Sequence, residues 1–148
     1  MNDFNRARFI RWNAKEGKSC PFEISKSPGK HRSPEEYNEE PLTEKIDVFS
    51  LGNILLAILR QERIYSDDDK TKLVQTRVAN GIFPTANISA VELSSYDPME
   101  MAILEAIQMC LVLDKEERSS AAQVELFLRH KLKNDFHLEL YDTLDYAG

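Results

Sequence analysis

Arg6, Arg8 and Arg11 crowd the start of the 148-residue chain. Guanidinium groups pair bidentately with phosphate, so this cluster could dock a phosphate added nearby. Candidate acceptors are Ser19, Ser25, Ser27 and Ser33, none marked by spacing alone; the plainer reading is a solvated basic face. A second chemical group is Asp47, at the start of the longest apolar run. A buried carboxylate must find donors, because an unpaired buried charge is very costly. Near a helix N-terminus it sits well against the dipole, and from there it could hold N–H groups of another loop. His31, His130 and His137 are scattered, with no metal or catalytic partner in sequence. Cys20 and Cys110 show no metal spacing and are too few for a disulfide framework.

These residues need elements to position them. Ile46 to Leu59 places Val48, Leu51, Leu55 and Ile58 at helical spacing, while Phe49, Ile54, Leu56 and Leu59 fill the other faces. A helix apolar all round is buried all round. At about 21 Å it is short for a bilayer and reads as the central helix of a core. Upstream, Arg6 to Arg32 is basic and poor in aliphatic residues, a long loop with a short strand over Phe9–Trp12. Ser33 suits an N-cap and Pro34 the first position of a short helix. Asn38 to Leu42 is a linker, and Thr43 caps the approach to the central helix.

Downstream, Ser66-Asp67-Asp68-Asp69, then Leu73, Val74 and Val78, then Gly81, predict a helix with an acidic start and a glycine stop. Ile82 to Ser95 reads as a loop. Asp97-Pro98-Met99-Glu100 is a capping box opening a helix with Ala102, Ile103, Ala106, Ile107 and Cys110 on one face. Leu111 to Arg118 is a turn. Ser120-Ala121-Ala122-Gln123 is a second capping box, and Val124, Phe127 and Leu128 line the last helix. The expected fold is mainly α, five or six helices with little strand. An acidic tail occupies 133–148.

Apolar residues make up 42% of the chain, enough for a core. Formal charge is −6. Residues 1–32 carry eight Lys/Arg against three Asp/Glu, whereas 33–148 carry eleven against twenty-two. An acidic bulk argues against nucleic acid as a partner. Two reduced cysteines fit an intracellular, cytoplasmic protein. There is no signal peptide and no transmembrane segment.

Four pieces then stand in order: Asp3-Phe4-Asn5, Ser33-Pro34-Glu35, Asp47-Val48-Phe49-Ser50-Leu51-Gly52, and Leu113-Asp114-Lys115-Glu116-Glu117-Arg118. Together they resemble the C-terminal lobe of a eukaryotic-type protein kinase, from the D-F-G motif onward, over about Asp3 to Leu132. The resemblance implies a helical C-lobe of a protein-kinase-like fold, without the β-rich N-lobe or the catalytic loop. It implies a partial kinase domain over 1–132, with an activation loop at 5–32 and a helical subdomain at 33–132. Asp3 matches the aspartate that holds Mg²⁺ against ATP phosphates. Asn5 replaces the usual glycine, and Asn is the residue best able to follow Gly in left-handed backbone. Asn5, Arg6, Arg8, Arg11, Ser25 and Ser27 fall in the activation loop. Glu35 and Arg118 match the family's buried ion pair, and Asp47 the aspartate that anchors the catalytic-loop backbone. Phe49 replaces a common tryptophan.

A kinase also needs a glycine-rich loop, a strand lysine and the H-R-D-x-x-x-x-N loop. None of these stands in this sequence, which reads as a fragment, so no catalytic residue is assigned. The resemblance implies Mg²⁺ and ATP as cofactors of the intact family, not held tightly by this chain. It implies phosphorylation of Ser/Thr hydroxyls on a protein substrate, with this chain alone inactive. The alternative is a non-catalytic, pseudokinase-like module that binds a protein partner.

Overall fold

The computed structural model describes residues 7–24 and 29–135. Two short strands and six α-helices are ordered β1 Trp12–Asn13, β2 Lys18–Ser19, α1 Pro34–Tyr37, α2 Lys45–Arg60, α3 Thr71–Ala79, α4 Ala90–Ser95, α5 Pro98–Cys110 and α6 Ala121–Asn134, with a 3₁₀ turn at Pro84–Asn87 between α3 and α4. The fold is mainly helical. α2 is its axis: it packs chiefly on α5, α5 packs on α6, and α1 meets α3.

Two apolar clusters share α2. Phe49, Leu56 and Leu59 meet Val74 and Val78 of α3 and Leu104 and Ile107 of α5. Val48 meets Ala106, Cys110 and Val124. Gly52 makes the close approach possible, since a Cβ there would lie 2.7 Å from Cys110 Cβ and 2.8 Å from Leu111 Cδ2.

The caps form where local sequence specifies them. In α5, Glu100 N–H donates to Asp97 Oδ1 and Asp97 N–H to Glu100 Oε2, both at 2.8 Å. In α6, Gln123 N–H donates to Ser120 Oγ and Ser120 N–H to Gln123 Oε1. At α1, the Ser33 N–H and hydroxyl both donate to Glu36 Oε2, at 3.0 Å.

Several expectations need correction. The strand is not Phe9–Trp12: Trp12 pairs with Ser19 and Asn13 with Lys18. The Asn13 carboxamide oxygen accepts from Lys15 and Glu16 N–H, and Gly17 takes φ +64°, which together close a hairpin. Phe22 then bridges to Leu42, so residues 7–24 are not a structureless loop. The helix expected from Ser66 begins at Thr71; Ser66–Asp69 is a separate turn, in which Asp69 takes the Ser66 N–H and hydroxyl and its own N–H donates to the Ser66 carbonyl. The loop expected over Ile82–Ser95 contains α4, capped by Ser89 Oγ accepting from Glu92 N–H. α2 is entered through Glu44 rather than a Thr43 cap, Thr43 Oγ1 accepting only at 3.4 Å from Lys45 N–H. In α5, Leu104 is buried whereas Ile103 is only half-buried. α6 runs through Asn134, past the expected start of the tail, and 136–148 lie outside the described residues.

The largest correction concerns α2 itself. It is not buried all round: Ile54 is 57% and Ile58 60% exposed, and Asp47 is exposed too. Apolar residues on every face show that a helix can be covered on every face, not that this chain supplies each cover.

Candidate functional site

The turn after α5 turns Arg118 inward. Asp114 Oδ1 accepts from Glu116 N–H, and the Asp114 carbonyl accepts from Glu117 and Arg118 N–H. The Arg118 side chain is fully buried and the Glu35 side chain 2% exposed. Arg118 Nη1 donates to Glu35 Oε1 at 2.6 Å and Nη2 to Oε2 at 2.9 Å, a bidentate fork. Nε and Nη2 also donate to the Val112 carbonyl, and Nη1 to the Lys45 carbonyl at 2.8 Å. A guanidinium has five N–H donors, and all five are used. The Phe49 ring lies 5.1 Å from the guanidinium carbon, close enough for a cation–π contact. Lys45 Nζ donates in return to the Arg118 carbonyl. Lys115 Nζ donates to the Pro41 carbonyl at 2.7 Å. One side chain thus joins α1, the start of α2 and the turn after α5.

Immediately before α1, residues 29–32 are pinned from several elements. Gly29 carbonyl accepts from Tyr37 Oη–H at 3.0 Å and from Gln75 Nε2 of α3 at 3.1 Å. Lys30 Nζ donates to the Ser66 carbonyl at 2.7 Å. Asn53 Nδ2 of α2 reaches the His31 carbonyl at 3.5 Å. Arg32 N–H donates to Tyr37 Oη and Arg32 Nη1 to Glu36 Oε1. Burial, with the Lys30 charge second, lowers the His31 pKa from its usual value. Burial raises the Tyr37 hydroxyl above its ordinary range.

Two clefts flank this segment, each of about 680 Å³. One lies between Glu23–Ile24, α1 and α3. The other has Ser50, Asn53, Ile54 and Ala57 of α2 on one side and Lys30, His31 and Arg63–Tyr65 on the other. Asn53 is 4% exposed, and its Oδ1 has no hydrogen-bond partner among the described residues. Such an orphan is uncommon in a native interior.

The structure brings Glu35 and Arg118 together across 83 residues. It does not bring Asp47 into that cluster. No hydrogen bond to the Asp47 carboxylate occurs among the described residues. Its pKa is raised, first by partial desolvation and second by the Glu36 carboxylate. Arg8 and Arg11 are both exposed on the approach to β1. Asp3, Asn5, Arg6, Ser25 and Ser27 lie outside the described residues. Lys45 and the Val112 carbonyl were missed by sequence reasoning. Both act on Arg118 largely through backbone oxygens, which carry no residue-type signal. Burial pushes the Cys110 thiol up to about 11, which makes it a packing residue rather than a nucleophile.

Among the described residues no helix is long and apolar enough to cross a membrane. The family model described as the protein kinase domain matches residues 2–131. No curated protein matches the chain.

Proposed function

The chain belongs to the protein kinase family, and from that premise we propose that it forms the helical, substrate-facing part of a kinase domain and does not transfer phosphate by itself. The intact activity would be ATP-dependent phosphorylation of Ser/Thr hydroxyls on a protein. The observation that carries this reading is the segment Gly29–Arg32, pinned by α1, α2, α3 and the Ser66 carbonyl and leading straight into the Glu35–Arg118 pair. That is a rigid shelf, and it suits presentation of a substrate chain better than chemistry on it.

Magnesium and nucleotide are a separate matter. Mg²⁺ supplies the charge that offsets the moving phosphoryl group. Asp3 is the residue this sequence offers, and a single carboxylate holds Mg²⁺ weakly because the ion gives up its waters reluctantly. Among the described residues no group of three or more His, Cys, Asp or Glu could hold a metal ion. No catalytic step is assigned to these residues.

Radiolabelled ATP with Mg²⁺ or Mn²⁺ and a generic protein substrate tests this directly. The expected result is no transfer above background. Transfer that Asp3→Asn abolishes would overturn it. The exposed pair Ile54 and Ile58 favours a second reading, a pseudokinase-like module that docks a protein on α2. An in-frame H-R-D motif and glycine-rich loop upstream in the transcript would favour the kinase reading; a transcript without them would favour the module.

A further inference from the structure

We propose that Ser66 is a phosphorylation site for an acidic-directed serine/threonine kinase, and that its phosphate is gripped by Lys30, fastening residues 29–32 to the loop between α2 and α3. The proposal does not depend on whether this chain is itself catalytic. Ser66 is exposed and is followed directly by Asp67, Asp68 and Asp69, all exposed. A kinase with a basic substrate groove selects such a run by charge complementarity.

The second observation is independent of those aspartates. Lys30, 36 residues away in sequence, places its ammonium 2.7 Å from the carbonyl of Ser66. An ammonium carries three donors, and that carbonyl occupies one. Arg63 stands three residues before Ser66 and, among the described residues, pairs with Asp67 alone in an exposed contact at 3.2 Å and 3.3 Å. An exposed ion pair contributes little, so it is readily given up. Lys30 therefore lies within reach of a phosphate on this side chain, with Arg63 in the same loop.

In the reaction, Ser66 Oγ attacks the γ-phosphorus of ATP held by the partner kinase. The Oγ–P bond forms, the bond from that phosphorus to the bridging oxygen of ADP breaks, and the hydroxyl proton passes to the partner's base. The modified Ser66 side chain can no longer donate to Asp69 Oδ2, a bond of 3.1 Å, and only the Ser66 N–H, at 2.7 Å, still holds that oxygen. Phosphate and Asp69 carboxylate repel each other. The side chain turns away from Asp69 and carries the phosphate to Lys30, already at the Ser66 carbonyl. Since the neighbours of Lys30 are already tied by Gln75, Tyr37 and Asn53, a fixed Lys30 makes the shelf and the α2–α3 loop one body.

The test treats the whole chain with Mg-ATP and a kinase of the casein kinase type. One phosphate should appear, mapped to Ser66 by tandem mass spectrometry, absent in Ser66→Ala and slowed several-fold in Asp67→Asn/Asp69→Asn. In the folded phosphoprotein, ³¹P NMR should titrate the phosphoserine at a higher pH in Lys30→Met than in the wild type, since both share the three aspartates that raise its second pKa and only the wild type has the cation that lowers it. Lys30→Arg should titrate with the wild type. No phosphate at Ser66, or a titration indifferent to Lys30→Met, overturns the proposal.

Discussion

One helix, α2, has two unlike sides. Toward α5 and the turn after it, all five guanidinium N–H donors of Arg118 are matched, on four oxygens because the Val112 carbonyl accepts two. Elsewhere on α2, Asn53 Oδ1 is unpaired beside the Lys30–Tyr65 cleft, Ile54 and Ile58 are exposed, and no hydrogen bond to the Asp47 carboxylate occurs among the described residues. The two sides differ in composition as well as in partners: the closed side carries Val48, Phe49, Leu56 and Leu59, whereas the open side has Asp47, Ser50 and Asn53 beside Ile54 and Ile58. The closed side behaves as a finished core and the open side as a surface that another body would complete.

Breaking the closed side should have the largest effect. Arg118→Met strands the Glu35 carboxylate in the interior, and Glu35→Gln strands the guanidinium. Loss of one partner of a buried pair costs about 3–5 kcal/mol, comparable to the whole stability of a marginal domain. A melting temperature lower by on the order of 10 °C is expected by calorimetry. Arg118→Lys should also be destabilised, since three rotatable donors cannot serve Glu35, Val112 and Lys45 in one plane. If these variants melt like the wild type, the two sides do not differ in the way described.

Gly52→Ala comes next. It pushes a methyl group to within 2.7 Å of Cys110 Cβ and 2.8 Å of a Leu111 methyl. Overpacking of this kind costs roughly 1–3 kcal/mol. The same change would ordinarily stabilise a helix interior, so the sign of the effect decides whether α2 and α5 are in such close contact. A raised unfolding midpoint in urea would contradict it.

The two sides were not equally legible in the sequence. Caps such as Asp97–Glu100 and Ser120–Gln123 are local, three residues apart, and their chemistry is written in residue type. The same pattern at Ser89–Glu92 lies amid a loop-like composition, and at Ser66–Asp69 it does not start a helix, the Asp69 N–H donating to the Ser66 carbonyl rather than to its hydroxyl. The Glu35–Arg118 contact spans 83 residues, and no periodicity points to it; only the resemblance to a family did. Its backbone acceptors at Val112 and Lys45 had no signal at all. The open side of α2 was illegible for another reason, since Ile54 and Ile58 look the same in sequence whether or not anything covers them.

Substitutions on the open side should barely change stability. Ile54→Gln and Ile58→Gln remove no buried contact and should fall within about 0.5 kcal/mol of the wild type. They should instead reduce binding of a hydrophobic dye and any self-association seen by sedimentation, because contiguous exposed apolar surface drives both. Leu56→Ala, in the fully buried stripe of the same helix, provides the contrast with a loss of about 2–5 kcal/mol. Equal losses at Leu56 and Ile54 would mean that the open side is closed in solution.

The smallest effect is expected at Asp47, and its sign is informative. Its carboxyl pKa is raised from the ordinary 3.8 by partial desolvation and by Glu36. The folded state therefore binds a proton more tightly at this position than the unfolded chain does. By linkage, the contribution of Asp47 makes stability fall as pH rises from the unfolded value through the raised folded value. Above that window the ionised group is a mild liability, kept small by solvent. Asp47→Asn should flatten this part of the pH–stability curve and leave the chain no less stable at neutral pH, measured by urea unfolding across the acid range. A carboxylate that gripped buried N–H donors would behave in the opposite way, with a depressed pKa and a stabilising effect at neutral pH that Asn removes. A clear loss of stability in Asp47→Asn at neutral pH would thus place Asp47 with Arg118 on the closed side of the helix.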